Sequence, residues 1–259
     1  MDDEEPKSIG MLAPVAPVSL RRYPPSPATE HLVRHYWIPR WDLPPGRTVV
    51  QEVLEYPTAN LVVEPSGTAI HPMSTGRGRR ELSGRGWAVG VLLRPATARL
   101  LTPADIRPGA PIPLPDAPTT LVADAVDGPP DSSDAAAVAV LEHWFAALDL
   151  RLDDAARLVD RAVDAVESDP ALVRVDELIR RLDTTYRDLN RAVRRHLGVT
   201  PRWIIARHRL QEAAAALQSD DPPALADLAA RLGYADQPHF SRDFARFIGM
   251  TPSRYRALR

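Results

Sequence analysis

The chain has 259 residues, room for two domains with a core each, and 34 acidic against 32 basic side chains give a formal net charge of −2. It has no cysteine, which excludes disulfides, thiolate zinc sites and a cysteine nucleophile. No apolar run approaches the ~18 residues of a membrane span and no signal-peptide pattern opens the chain, so the expectation is a soluble, cytoplasmic protein with no membrane partner.

Residues 1–19 are acidic, then rich in proline and alanine, and read as a disordered lead. Residues 20–115 change texture to short β-favouring runs broken by proline and glycine, a β-rich domain built as a mostly antiparallel sheet or a barrel. The expected strands are Val33–Pro39, Val49–Leu54, Asn60–Glu64, Thr68–His71, Arg79–Ser83 and Trp87–Leu93, and Pro95–Leu101 reads as a short helix. Residues 116–150 read as a linker followed by a helix, Asp134–Asp149, capped by Ser133 or Asp134. Its apolar face of Val138, Leu141, Phe145 and Leu148 exceeds what a linker helix needs and suggests a homodimer contact.

The chemistry of this front half is sparse. Tyr36, Trp37, Tyr56 and Trp87, together with Trp41, either line a partly apolar pocket for a small effector or form plain core. His31 and His35 have i,i+4 spacing and His71 lies further on. Val33–Trp37 alternates like a strand, which separates the first two, so lone or paired surface histidines are a better reading than a metal site. There is no phosphate loop, no Gly-x-Ser-x-Gly and no carboxylate pair in a structural context, so neither catalysis nor a cofactor is expected.

From Asp153 onward the periodicity is helical. Asp153–Glu167 carries Leu158, Ala162 and Val166 on one face and stops at Asp169-Pro170. An internal repeat follows: Leu178-Ile179-Arg180-Arg181-Leu182 recurs as Leu228-Ala229-Ala230-Arg231-Leu232 at an offset of fifty. Leu189-Asn190-Arg191-Ala192-Val193 recurs as Phe240-Ser241-Arg242-Asp243-Phe244, and Gly198-Val199-Thr200-Pro201 as Gly249-Met250-Thr251-Pro252, at an offset of fifty-one. The Thr-Pro pairs are N-caps followed by a first-turn proline, and the glycines stand where the preceding helices should end left-handed. Each repeat is therefore a helix, a short turn and a helix, and residues 151–259 form an all-α, seven-helix domain with two helix-turn-helix motifs: an α+β chain overall.

In such a motif the second helix enters the major groove of double-stranded DNA. The first recognition helix, Thr185–His196, should bury Leu189 and Val193 and turn out Tyr186, Arg187, Asn190, Arg191 and Arg194. The second, Gln237–Phe247, should bury Phe240, Phe244 and Phe247 and leave Gln237, His239, Ser241 and Arg242 available, with Asp243 restraining Arg242. Between them Thr200–Gln218, 19 residues, spans roughly 28 Å. Residues 170–259 hold 16 arginines against 10 acids, a balance of +6 that leaves −8 for the rest, as expected if only the back of the chain meets phosphate. Lys7 is the sole lysine, so arginine richness alone says nothing.

The run from Leu228 through Gly233-Tyr234, Gln237, Phe240, Arg242, Phe244 and Gly249 to Pro252 and Tyr255 resembles the C-terminal signature of AraC/XylS-type transcriptional regulators, and Leu178–Leu217 resembles it more loosely. Tyr36-Trp37, Asn60–Glu64 and Leu93-Arg94-Pro95 are faintly similar to uncharacterised domains that precede such regions. The resemblance implies base-facing roles for Arg187, Asn190 and Arg191, DNA and RNA polymerase as partners, and a β domain that senses an effector or dimerises. Two readings compete with a regulator at this point: an enzyme with a helical accessory part, and an adaptor that uses its helical hairpins without DNA.

Overall fold

In a computed structural model the described residues are 18–53, 56, 58–73 and 78–257; of the 1–19 lead, residues 1–17 lie outside them. The front half is built on an antiparallel sheet of β1 (Val18–Tyr23), β2 (Val33–Asp42), β4 (Asn60–Glu64), β5 (Gly67–His71), β8 (Val89–Leu93) and β9 (Ile112–Pro113). Their order is β1-β2-β8-β4-β5-β9, with β7 (Arg85–Trp87) beside β2. An antiparallel pair, β3 (Thr48–Val53) and β6 (Gly78–Ser83), stands as a second small sheet. The six strands expected from sequence all occur, the last split into β7 and β8, while β1 and β9 are additional.

Paired residues share a face and neighbours alternate, so the register sorts the side chains. Tyr36, Val91, Leu61 and Ile70 form one row, all fully buried in the main core. Trp37, Gly90, Val62 and Ala69 form the next row, on the opposite face. At Gly90 a Cβ would lie 1.9 Å from the Trp37 indole, so only glycine lets the ring lie flat on the strand.

The core face is covered by α2 (Thr119–Val126) and α3 (Pro130–Ala147), which contribute Val122, Val126, Ala137, Leu141 and Phe145. Residues 116–150 are thus part of the β domain rather than a linker. Val138, Leu141 and Phe145 of the α3 apolar face are spent on the sheet domain, which removes most of the face the homodimer argument used, while Leu148 stays 37 % exposed. Asp134 does not cap α3 either. It lies inside the helix, fully buried, and takes both Nε and Nη2 of Arg40 at 3.1 and 2.6 Å. Arg40 also donates to Val126 O and Ser133 Oγ. A buried charge needs such saturation, and here it pins α3 to β2.

The back half has the seven helices expected: α4 (Asp154–Ser168), α5 (Val175–Leu182), α6 (Tyr186–Leu197), α7 (Pro201–Leu217), α8 (Leu225–Arg231), α9 (Gln237–Ile248) and α10 (Pro252–Arg256). Short α1 (Thr97–Leu101) precedes β9 in the β domain. Two cores result, one under α4–α6 and the start of α7, the other under the end of α7 and α8–α10. Helix α4 serves both halves of the chain. Val159, Ala162, Val163 and Val166 join the first helical core. Asp160, Asp164 and Glu167, one helical stripe at i, i+4, i+7, face the β domain. Asp160 Oδ1 accepts the Ala96 N–H at 3.0 Å. Arg94 Nη1 reaches both oxygens of Asp164 at 3.0 and 3.1 Å. Arg34 donates to Asp164 at 3.0 Å and to Glu167 at 2.7 Å. Met73 of the β domain completes the seam by entering the helical core.

Candidate nucleic-acid interface

Each recognition helix is started by a side-chain cap. Thr185 Oγ1 accepts the Asp188 N–H at 3.1 Å and donates to the Asp188 carboxylate at 2.7 Å. In the second unit Asp236 accepts the His239 N–H at 2.7 Å, with Pro238 in the first turn. Thr200 and Thr251 cap α7 and α10. Gly198 and Gly249, with φ of 71° and 78°, end α6 and α9 in the left-handed region, as the Thr-Pro and glycine spacing predicts. The turn before α6 puts Asp183 at φ 49° where the turn before α9 has Gly233 at φ 69°. The added length of the second unit lies in this turn.

On α6, Leu189 and Val193 are fully buried, and Tyr186, Arg187, Arg191 and Arg194 are exposed. Tyr186, 55 % exposed, is a large aromatic left in solvent at the helix start. Arg191 Nη2 pairs with Asp188 at 2.9 Å, an exposed contact weak enough to exchange for phosphate or a base. Asn190 is placed differently from expectation: it is half-buried and its Oδ1 is shielded from solvent. Whichever way the amide is turned, one of its two polar atoms faces the protein, and pairing with adenine needs both. The far end of α6 is against the β domain. His196 is buried, which holds its imidazole below the usual value, and a Cβ at Gly198 would lie 2.7 Å from Ile106 O.

On α9, Phe240, Phe244 and Ile248 are fully buried and Phe247 half-buried. Rings of Tyr234, Phe240, Phe244 and Tyr255 form a chain of edge-on contacts with centroids 5.4–5.6 Å apart. Gln237, His239 and Arg242 are exposed and Ser241 half-buried. Asp243 does not restrain Arg242 as expected; it forms an ion pair with Arg246 at 3.3 Å and lies 3.6 Å from His239 Nε2. That leaves Arg242 exposed on the outer face.

The aromatics of the β domain do not converge. Tyr36 is core, beside Glu142. Trp87 pairs with Arg40, which is bonded to α3, and packs on that same core. Trp37 is on the opposite face, its Nε1 donating to Asn60 Oδ1 at 3.0 Å. Tyr56 receives Arg34 Nη1 on its hydroxyl at 2.8 Å, with the guanidinium carbon 4.9 Å from its ring centroid, and so belongs to the α4 seam. His31 is exposed on a turn, whereas His35 is buried in a row with Leu92, Asn60 and His71. Burial, then the Arg22 and Arg34 charges, lower His35 to about 4. Among the described residues no three metal-ligating side chains gather, and no helix is long and apolar enough to cross a membrane.

Two capped helix-turn-helix units joined by one helix, each with polar side chains exposed on its second helix, have the arrangement that meets the major groove of DNA. Residues 178–258 match the family model described as a helix-turn-helix domain, and residues 21–108 match a domain of unknown function, DUF6597. The back of the chain thus matches a helix-turn-helix domain and the front a domain of unknown function. No curated protein matches the chain. Among solved structures it is similar to the C-terminal domain of AraT, a response regulator from Geobacillus stearothermophilus, with 26% identity over 42% of this chain and 88% of that one and a TM-score of 0.37. A probable AraC family transcriptional regulator from Rhodopseudomonas palustris CGA009 is 23% identical over 39% of this chain and 96% of that one, with a TM-score of 0.37. ToxT from Vibrio cholerae is similar along 93% of this chain and 97% of its own, with 12% identity and a TM-score of 0.46.

Proposed function

We propose that the chain is a non-catalytic, cytoplasmic regulator that reads DNA sequence with α6 and anchors on the neighbouring groove with α9. The observation that carries this reading is the equivalence of the two helices: both capped at the start, both ended by a left-handed glycine, both exposing polar side chains, both packed against α7. With 17 residues, α7 spans about 25 Å. Successive major grooves on one face are about 34 Å apart, so helix width and some bending of the duplex make up the difference.

Arg187 and Arg191 on α6 are the base readers, since an arginine fork suits guanine O6 and N7. Asn190 is secondary because half of its amide is turned inward. On α9, Pro238 removes a donor from the first turn, so Gln237, His239, Ser241 and Arg242 serve mainly position and phosphate affinity. Competition binding of single variants against operators changed base by base, at two salt concentrations, tests this division. Arg187→Ala should cost about 1–3 kcal/mol on the preferred site and relax one or two positions. Arg242→Ala should weaken all sequences alike and lower the salt slope by about one. If Arg242→Ala relaxes specificity and Arg187→Ala does not, the roles are reversed.

A small effector belongs to the same proposal. Its place is the sheet face opposite α3, where half-buried Trp37, Asn60 and His71 lie along adjoining rows. Burial lowers the His71 imidazole, which favours a neutral polar ligand there. Thermal shift of the full chain against a metabolite set should find a stabilising compound, and Asn60→Ala should abolish its effect. Stabilisation that survives Asn60→Ala would place the ligand elsewhere.

A further inference from the structure

The C-terminal end of the first recognition helix is packed on the β domain. A Cβ at Gly198 would lie 2.7 Å from Ile106 O and 3.3 Å from Pro108 Cδ, so the loop 102–110 runs directly past the end of α6. The loop is held from within. Arg99 Nη1 donates to Thr102 O at 3.3 Å and to Ala104 O at 2.8 Å. The Ala104 N–H donates to Thr102 Oγ1 at 3.2 Å, and Ile106 is buried in the β-domain core. Arg107 stands between the two residues that crowd Gly198, and its side chain is 79 % exposed. Its ion pair with Asp105, at 3.4 Å, is equally open to solvent, the Asp105 side chain being 75 % exposed. Arg194 and Arg195, in the last turn of α6, are exposed as well.

A recognition helix presents its N-terminal residues to base edges. With 12 residues, α6 is about 18 Å long, whereas the major groove is about 12 Å wide. Its C-terminal end therefore overhangs the sugar-phosphate backbone. We propose that the β domain takes part in DNA binding at this point: Arg107 contacts a backbone phosphate beside the bases that α6 reads, next to Arg194 and Arg195. The exposed pair with Asp105 is weak in water and gives way to a phosphate. Because the loop is already ordered, the contact immobilises little more than one side chain. It carries no base information; it extends the footprint of the first unit and ties the β domain to the duplex. The proposal rests on the DNA reading above.

The probe is a duplex selected from a randomised pool by the native full chain. Affinity is measured at several salt concentrations for the native chain and for Arg107→Ala, Arg107→Glu and Arg107→Lys. Ethylation interference maps the phosphates each protein needs, and melting of each protein is recorded alongside. Arg107→Ala should weaken binding about three- to ten-fold at low salt, equally on selected and altered sequences, and lower the salt slope by about one. Interference at a single phosphate flanking the α6 half-site should disappear with it. Arg107→Glu should weaken binding further. Arg107→Lys should restore both the slope and the phosphate, since an ammonium serves as a point charge. If Arg107→Ala and Arg107→Glu keep the native slope and interference pattern, the proposal is overturned and reading by α6 stands. Loss of affinity with a lowered melting temperature and an unchanged phosphate pattern would mark a structural role and overturn it as well. A pool from which the native chain enriches nothing overturns the DNA reading itself.

Discussion

Asp160 is a carboxylate 8 % exposed at the seam between the two halves of the chain. Burial raises its pKa from 3.8 to about 6, and neighbouring Asp164 adds to the rise, while the Ala96 N–H and the Arg94 and Arg34 charges oppose it. The folded state thus holds the proton more tightly than the unfolded one. The stability this contributes is complete below pH 3.8 and is lost as pH rises through about 6. Asp160→Asn keeps an oxygen for Ala96 and discards the charge. It should raise stability at neutral pH by about 1–3 kcal/mol and flatten the stability profile between about pH 4 and 6. Urea denaturation across that range decides it; an unchanged slope would mean that Asp160 ionises at no cost. Gly198 is the second such position. With φ at 71° and Ile106 O 2.7 Å from any Cβ, Gly198→Ala should cost about 1–3 kcal/mol, and an unshifted unfolding midpoint would refute the close approach.

At the scale of elements, what was legible in the sequence was what short spacing encodes. Thr185, Thr200, Asp236 and Thr251 cap their helices, and Gly198 and Gly249 end theirs, because caps act within a turn. The outward set on α6 followed from 3.6-residue periodicity once Leu189 and Val193 were taken as core. The shielding of Asn190 did not, since it depends on what packs beside the helix. The β domain was legible as strands but not as faces. Tyr36 and Trp37 are neighbours in sequence and so lie on opposite sides of the sheet, but which side faces α3 depends on residues far along the chain. Strand β1 escaped notice because it follows a Pro/Ala lead with no turn signal, and β9 is a two-residue bridge. The acid stripe of α4 was readable as spacing, yet its meaning needed Arg34 and Arg94 from far along the chain.

On the scale of the whole molecule, that stripe governs how the protein comes apart. A sheet domain and a helical domain of this size ordinarily unfold as separate units, each in its own transition. Here α4 supplies apolar side chains to one and three carboxylates to the other, so neither half can melt without stripping a helix from its neighbour. Arg34 and Glu167 are both mostly buried at the seam, with side chains 16 and 20 % exposed. Removing one strands the other, at about 1–3 kcal/mol. Calorimetry of the native chain should therefore give one endotherm with equal calorimetric and van't Hoff enthalpies, and Arg34→Ala combined with Arg94→Ala should split it in two. Two resolved endotherms in the native chain would mean that the halves are only tethered. A single transition carries a physiological corollary: a ligand that tightens the sheet also protects the recognition helices from proteolysis, without touching them.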